Sequence, residues 1–330
     1  MPYKVAVLMG GSSFERDFSL ASGRNVLRTL EHEGHTVLPL DTAPTLVDIL
    51  RNERPDVAYI ALHGRHGEDG TIQTLLEYLD IPYVGSSSSV CRTTWNKAML
   101  PLVVRSHRQN NSGPANWPRS VCLSAVAFKN FGAASVLDLI TERIPSAYPL
   151  AVLPASGGSA MGVTKVESFE SLAPAILEAL SFDDEVLIEE WIDGVELAVC
   201  VIGGGTAAHA LPSVEIRPKN GFFGADARLD HDLAEYYVPA RSQSLAASER
   251  VAERVRALVE TTALEVHRAF GCRDLSRVDM IWDGEKTRVL EINVSPGMTE
   301  FSLFPMACRA ANLPLGVLLN RLLDAAVARG

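Results

Sequence analysis

The sequence predicts an α/β protein of two or three domains, and three observations predict it. Short apolar runs that read as strands alternate with helical patterns from the first residues onward, the rhythm of a parallel sheet faced by helices. Polar, glycine-rich loops follow directly on several of those runs, at the strand ends where open α/β sheets gather ligands. And 330 residues, 47% hydrophobic and 21% charged, are enough chain to bury a large core and to divide it.

Lys4 to Met9 is a short apolar run that ends in Gly10-Gly11-Ser12-Ser13. A helical pattern follows through Leu20, Val26 and Leu30, then strands over Thr36 to Leu40 and Asp56 to Leu62. The Gly10 fragment lacks the spaced glycines of a dinucleotide fingerprint, so no nicotinamide site is expected. Behind the third strand comes His63-Gly64-Arg65-His66-Gly67-Glu68-Asp69-Gly70, then a helix over Thr71 to Leu79, and the first domain closes near residue 90. Residues 105–119 are rich in Asn, Ser, Pro and Gly and read as a linker or exposed loop, with Arg105, His107 and Arg108 solvated. In a second block, from about 120 to 185, strands Leu150 to Leu153 and Val163 to Val166 flank the glycine-rich turn Pro154 to Gly162. Such a turn is either a plain hairpin loop or a flap whose N–H groups cover phosphates. The third block carries Glu189 to Glu196, a long polar loop over 220–240, a helix from about Ser248 to Phe270, and two final strands.

Those strands, Arg277 to Trp282 and Thr287 to Asn293, meet at an Asp283-Gly284 turn signal and hold the densest chemistry. Asp279, Glu291 and Asn293 are an all-oxygen set suited to Mg²⁺, which keeps waters and bridges phosphates. Arg277 adds a fixed positive charge, and Gly297 after Pro296 offers an N–H that a ligand can approach closely. Glu291 and Asn293 are two apart and share a strand face. Asp279 joins that face only if the connection has an odd residue count or a bulge. The pattern describes phosphoryl transfer onto something small and anionic; a solvated hairpin is the plain alternative.

The formal net charge of −10 and pI near 5.3 argue against a nucleic-acid surface. Five cysteines, odd in number and without a C-x-x-C, read as reduced thiols. No signal segment and no apolar run of about 18 residues is present, so a cytoplasmic protein with no membrane partner is expected.

Together the motifs resemble the D-alanine–D-alanine ligases of the ATP-grasp superfamily over nearly the whole chain. The match is carried by Gly10 to Ser13 with Glu15, Arg16 and Ser19; by His63-Gly64-x-x-Gly67-Glu68-Asp69-Gly70-x-Ile72-Gln73; by Asn96-Lys97; and by Gly158-Ser159-x-x-Gly162. It continues through Arg277-Val278-Asp279, Glu291-x-Asn293, Pro296-Gly297-Met298-Thr299 and Ser302-Leu303. The resemblance implies a three-domain ATP-grasp fold with a Rossmann-like N-terminal substrate domain over 1–90. A central subdomain with a phosphate flap over 91–185 and a C-terminal subdomain with the Mg²⁺ site and a closing loop over 186–330 would hold the nucleotide between them. It also implies ATP and two Mg²⁺ ions (or Mn²⁺) as cofactors, D-alanine as substrate, a homodimer and a place in peptidoglycan synthesis. Asp279, Glu291 and Asn293 would hold the metals, and Arg277 and the Gly297 N–H would stabilise an oxyanion. Glu15, with Ser159 near it, would hold the first D-alanine's ammonium and His63 its carboxylate, while Ser302 and Leu303 bound the second substrate. Lys97 would meet phosphates, and Glu189, Ile192 and Glu196 would line the adenine and ribose pocket.

Two departures from the family pattern stand out. Where the family has a phosphate-binding Lys before the flap, this chain has Leu153. A charge-assisted hydrogen bond is worth roughly 1.5–3 kcal/mol, so its loss lowers nucleotide affinity or turnover by about one to two decades. Lys165 is expected to compensate only if the flap's geometry differs from the family's. In the closing loop, Arg228 can replace a Lys, but Leu229 cannot replace a Tyr hydroxyl. Phe222 and Phe223 read as packing beneath that loop. With His231 nearby, D-lactate or D-serine as second substrate is one alternative; a silenced binding protein, favoured by Leu153 and opposed by the intact metal set, is the other.

Overall fold

The computed structural model describes residues 2–108, 113–144, 148–219, 221–224, 227 and 231–330, without the side chains of 133, 134 and 231. Its first sheet is parallel, in the order β2 (Thr36–Leu40), β1 (Lys4–Leu8), β3 (Val57–Ile60), β4 (Tyr83–Val84). β1 and β3 are buried almost end to end because helices cover both faces, which explains their unbroken apolar runs. The helix Arg16–His32 turns Val26 and Leu30 inward as the pattern predicts. Its buried stripe also carries Ser19, Ser22 and Gly23. A Cβ at Gly23 would lie 2.5 Å from Met9, so glycine there lets helix and strand approach.

The second sheet is antiparallel, in the order β5 (Ser120–Ser124), β8 (Glu185–Glu190), β6 (Leu150–Pro154), β7 (Thr164–Val166). Its apolar face packs on the helices Ala133–Arg143 and Phe169–Ala179 through Val152, Ile188, Ile140 and Ile176. The third sheet runs β12 (Ala234–Tyr237), β11 (Val214–Pro218), β9 (Val195–Ile202), β13 (Leu275–Trp282), β14 (Thr287–Asn293), with β10 (His209–Ala210) also on β9. The helix Glu249–Ala269 covers one face, where Val199, Val201, Val278 and Met280 meet Val255, Val259 and Val266. Strand alternation sends the intervening residues to the other face, where the polar site forms.

The chain's end returns to its beginning. Leu318, Leu319, Leu322 and Leu323 of the helix Leu315–Val327 share one core with Val5, Val7 and Tyr59 of the first sheet. The described residues on either side of 109–112, in the stretch expected to be an exposed linker, are tied down instead. Arg105 and His107 end the helix Leu100–His107, and the Arg108 guanidinium binds Glu265 at 2.6 Å, with both arginines over the Trp117 ring. The acid that makes this cluster structural lies far along the chain, so local composition did not reveal it. Among the described residues no helix is long and apolar enough to cross a membrane, and all five cysteines are free thiols.

Candidate active site

The last hairpin sets the geometry. Arg277 lies opposite Asn293 and Asp279 opposite Glu291, but Met280 pairs with Val289, so Leu290 is an extra residue in β14. This bulge corrects the parity of the connection and brings all four polar side chains to one face. β9 extends the face with Glu196, opposite Ile281. Val278, Met280 and Ile292 point the other way, into the core under the long helix.

Charge on this face is tightly compensated. Burial works against the Arg277 charge, but two hydrogen bonds to Asp279, at 2.6 and 2.8 Å, more than offset it and raise the guanidinium's pKa. Lys97 places Nζ 3.3 Å from Glu291 and donates to the Gly157 carbonyl, joining hairpin to flap. Its position is set by Asn96, whose side chain accepts from Ala98 N, and by its own N–H bond to Ala155 O. Asn293 accepts from Ser295 N at 2.8 Å, which turns the chain toward Pro296-Gly297. Among the described residues no group of three His, Cys, Asp or Glu converges. The candidate metal set has two carboxylates and an amide on one face, hard oxygens in the number that suits Mg²⁺ with waters retained.

Two spaces flank this face. An open cleft of about 1120 Å³ lies between the second and third sheets, lined by Lys97, Leu153, Glu189, Ile192, Glu196, Asp279 and Glu291. Burial raises the Glu189 carboxyl to about 8, with Lys97 opposing the shift. On the other side a pocket of about 710 Å³ is lined by His63, Ser159, Arg277, Asn293, Gly297, Ser302 and Leu303. Glu15 is set apart from these, in an adjoining recess with Gly158 and Arg65. A Cβ on Gly64 would collide with the Glu15 carboxylate, and one on Gly297 with the Phe18 ring, so both glycines keep the walls close. Arg228 and Leu229 lie outside the described residues, as does the His231 side chain.

His63 is held from three sides. Its Nε2 meets Ser22 Oγ at 3.2 Å, its Nδ1 lies 3.6 Å from Glu68, and its ring packs on Phe18 with centroids 4.8 Å apart. Ser22 also accepts from Met298 N at 3.2 Å, so one hydroxyl ties the first sheet's loop to the Gly297 turn. The Ser302 hydroxyl accepts from Thr299 N at 3.0 Å and shapes the same turn. Ser22, Glu68, Phe18 and Tyr236 went unassigned in the sequence. The polar interruption of the helix stripe at Ser19 and Ser22 is the signal that could have found Ser22.

One expectation needs correction. Phe222 and Phe223 do not merely pack beneath a loop: both line the cleft, Phe222 stands 5.6 Å from Trp191, and Phe223 also reaches the pocket. Leu153 is 8% exposed and packs with Ala155 and Leu187, an apolar floor to the cleft. Lys165 turns toward the cleft's rim, its Nζ 5.0 Å from the centre of the Trp191 ring.

Comparison with known proteins adds independent information. Residues 129–324 match the family model for the D-Ala–D-Ala ligase C-terminus, and residues 46–86 that for its N-terminus. The chain is 35% identical over 312 residues to a D-alanine–D-alanine ligase of Halalkalibacterium halodurans, covering 94% of each. It is 36% identical over 311 residues to one of Bordetella petrii, covering 94% of this chain and 88% of that one. The structure aligns with a D-alanine–D-alanine ligase from Bacillus anthracis complexed with ATP at TM-score 0.76 and 28% identity, over 99% of this chain and 98% of the other. With a site on one face of its last hairpin and relatives matched along nearly their full length, the chain belongs to the D-alanine–D-alanine ligase family.

Proposed function

We propose that the protein is an ATP-dependent ligase that joins two D-alanines into D-alanyl-D-alanine for peptidoglycan synthesis, releasing ADP and phosphate. The observation that carries this reading is the shared face of Arg277, Asp279, Glu291 and Asn293, open to a nucleotide-sized cleft on one side and a small pocket on the other. A phosphoryl group can cross that face between two substrates. The first D-alanine's carboxylate attacks the γ-phosphate and becomes an acyl phosphate; the second D-alanine's amine then displaces phosphate.

Each step draws on groups already in place. Glu15 receives the first substrate's ammonium and His63, held by Ser22 and Phe18, its carboxylate. Ser159, at the flap tip with φ +55°, closes the pocket from above. Arg277 and the Gly297 N–H meet the oxyanion of the tetrahedral intermediate, in a site that costs no reorganisation. Leu303 and Ser302 bound the second substrate. Lys97, and Arg228 from the closing loop, meet nucleotide phosphates, while Glu189, Ile192 and Glu196 line the base and ribose end. Asp279, Glu291 and Asn293 would hold Mg²⁺, which when bound neutralises charge on the transferring group. The reading makes the protein cytoplasmic, where ATP is available, and a homodimer like its family.

The test is phosphate release from MgATP with D-alanine, alone and against D-lactate or D-serine, with products identified by mass. D-alanine-dependent release with the homodipeptide as product is expected. A mixed product would reassign the second substrate, and no release at any D-alanine concentration would remove the ligase reading.

A further inference from the structure

The nucleotide cleft has a cation at its rim that none of the motifs assigns. β8, β6 and β7 are neighbours, and their register sets Glu189, Ala151 and Lys165 in one row across the sheet. Residues opposite one another on antiparallel strands point to the same face. Glu189 and Ala151 line the cleft, so Lys165 emerges on the cleft side as well. With strands about 4.8 Å apart, Lys165 starts roughly 10 Å from Glu189, and only the Ala151 methyl stands between them. The next row, Leu187 and Leu153, is apolar.

Lys165 is held only lightly. Its Nζ sits over the Trp191 ring, and its ion-pair partner Glu167 is 3.5 Å away with a side chain 77% exposed. A screened pair and a rim cation–π contact are both weak enough for a polyanion to displace. Meanwhile the cations near the acidic cleft lining are already engaged: Arg277 forks onto Asp279 and Arg288 faces Glu190. The Lys97 ammonium is already shared by Glu291 and the Gly157 carbonyl. A bound polyphosphate gains from positive charge on the flap side, and Leu153 offers none.

We propose that Lys165 is the flap-side cation of the nucleotide site, its ammonium leaving the Trp191 face to contact phosphate oxygens. The inference rests on reading the cleft as a nucleotide site, and a binding assay separates the two. Calorimetry with ADP and Mg²⁺, and separately with adenosine, compares the intact chain with Lys165→Met and Lys165→Arg. Lys165→Met should weaken ADP binding about tenfold while adenosine, which has no phosphate, changes less than about twofold. Lys165→Arg should keep most of the affinity, and Leu153→Lys placed in the Lys165→Met background should recover it. Unchanged ADP affinity, or equal loss for ADP and adenosine, overturns the assignment. An intact chain that binds neither ligand overturns the nucleotide site itself.

Discussion

At Arg277 one side chain does two jobs. Its fork engages both Asp279 oxygens, so it satisfies a buried carboxylate while facing the pocket beside Gly297. Lysine keeps the charge but cannot reproduce the fork. Arg277→Lys should therefore lower D-alanine-dependent turnover by about 100-fold, the usual scale for losing an oxyanion donor. MgADP affinity should stay within about threefold, because the proposed oxyanion contact forms only after the nucleotide is bound. Steady-state kinetics with parallel calorimetry would separate the two; a matching loss of ADP affinity would mean that Arg277 chiefly organises the metal side. These residues were legible in the sequence because Arg-x-Asp and Glu-x-Asn fall at strand spacing. Ser22 was not, since its role arises from which turn lies opposite, a distance no local pattern encodes, and Lys165 entered only as a condition on the flap's geometry.

Elements show the same division between local and distant information. The helix Glu249–Ala269 was readable from its period, and the hairpin from its turn signal. The bulge at Leu290 was only a condition the site had to meet. The histidine that locks helix to sheet gave no warning at all. His267 is fully buried: Nε2 meets the Gly203 carbonyl at 3.1 Å and Nδ1 the Ser276 hydroxyl at 2.7 Å. A carbonyl needs an N–H, so the neutral tautomer carries its proton on Nε2 and accepts from Ser276. Burial lowers its pKa to about 4 from 6.5. The unfolded chain thus binds the extra proton first. Stability from this group is complete above pH 6.5, drains as pH falls toward 4 and is constant below, amounting to about 3 kcal/mol. Urea unfolding of the protein and of His267→Gln should show a stability gap at pH 7 that narrows by pH 4.5. A gap that is independent of pH would contradict the assignment.

Across the whole molecule, the proposed catalytic groups come from three sheets that must be held in register. Glu15 and His63 ride on the first, the flap on the second, Arg277 and Gly297 on the third. The first and third are joined at Asp274, which adopts φ +65° and accepts from Gly85 N at 2.8 Å. Arg329, one residue from the chain's end, forks onto the same carboxylate and reaches the Tyr83 carbonyl at 3.2 Å. Arg273 adds a bond to Gly85 O at 2.8 Å, and Asn25 spans to Met298 O at 2.7 Å. The proposed nucleotide cleft lies between the second and third sheets, away from this junction. Arg329→Ala leaves the Asp274 carboxylate, 4% exposed at its side chain, with the Gly85 amide alone among the described residues, and should cost about 1–3 kcal/mol. It should also loosen the first sheet against Gly297, raising the KM for D-alanine while the KM for MgATP holds. Thermal unfolding gives the first number and a two-substrate kinetic matrix the second. If both KM values rose together, the junction would be a general brace of the fold, and the alignment of His63 with Arg277 would have to come from Ser22 and Asn25 instead.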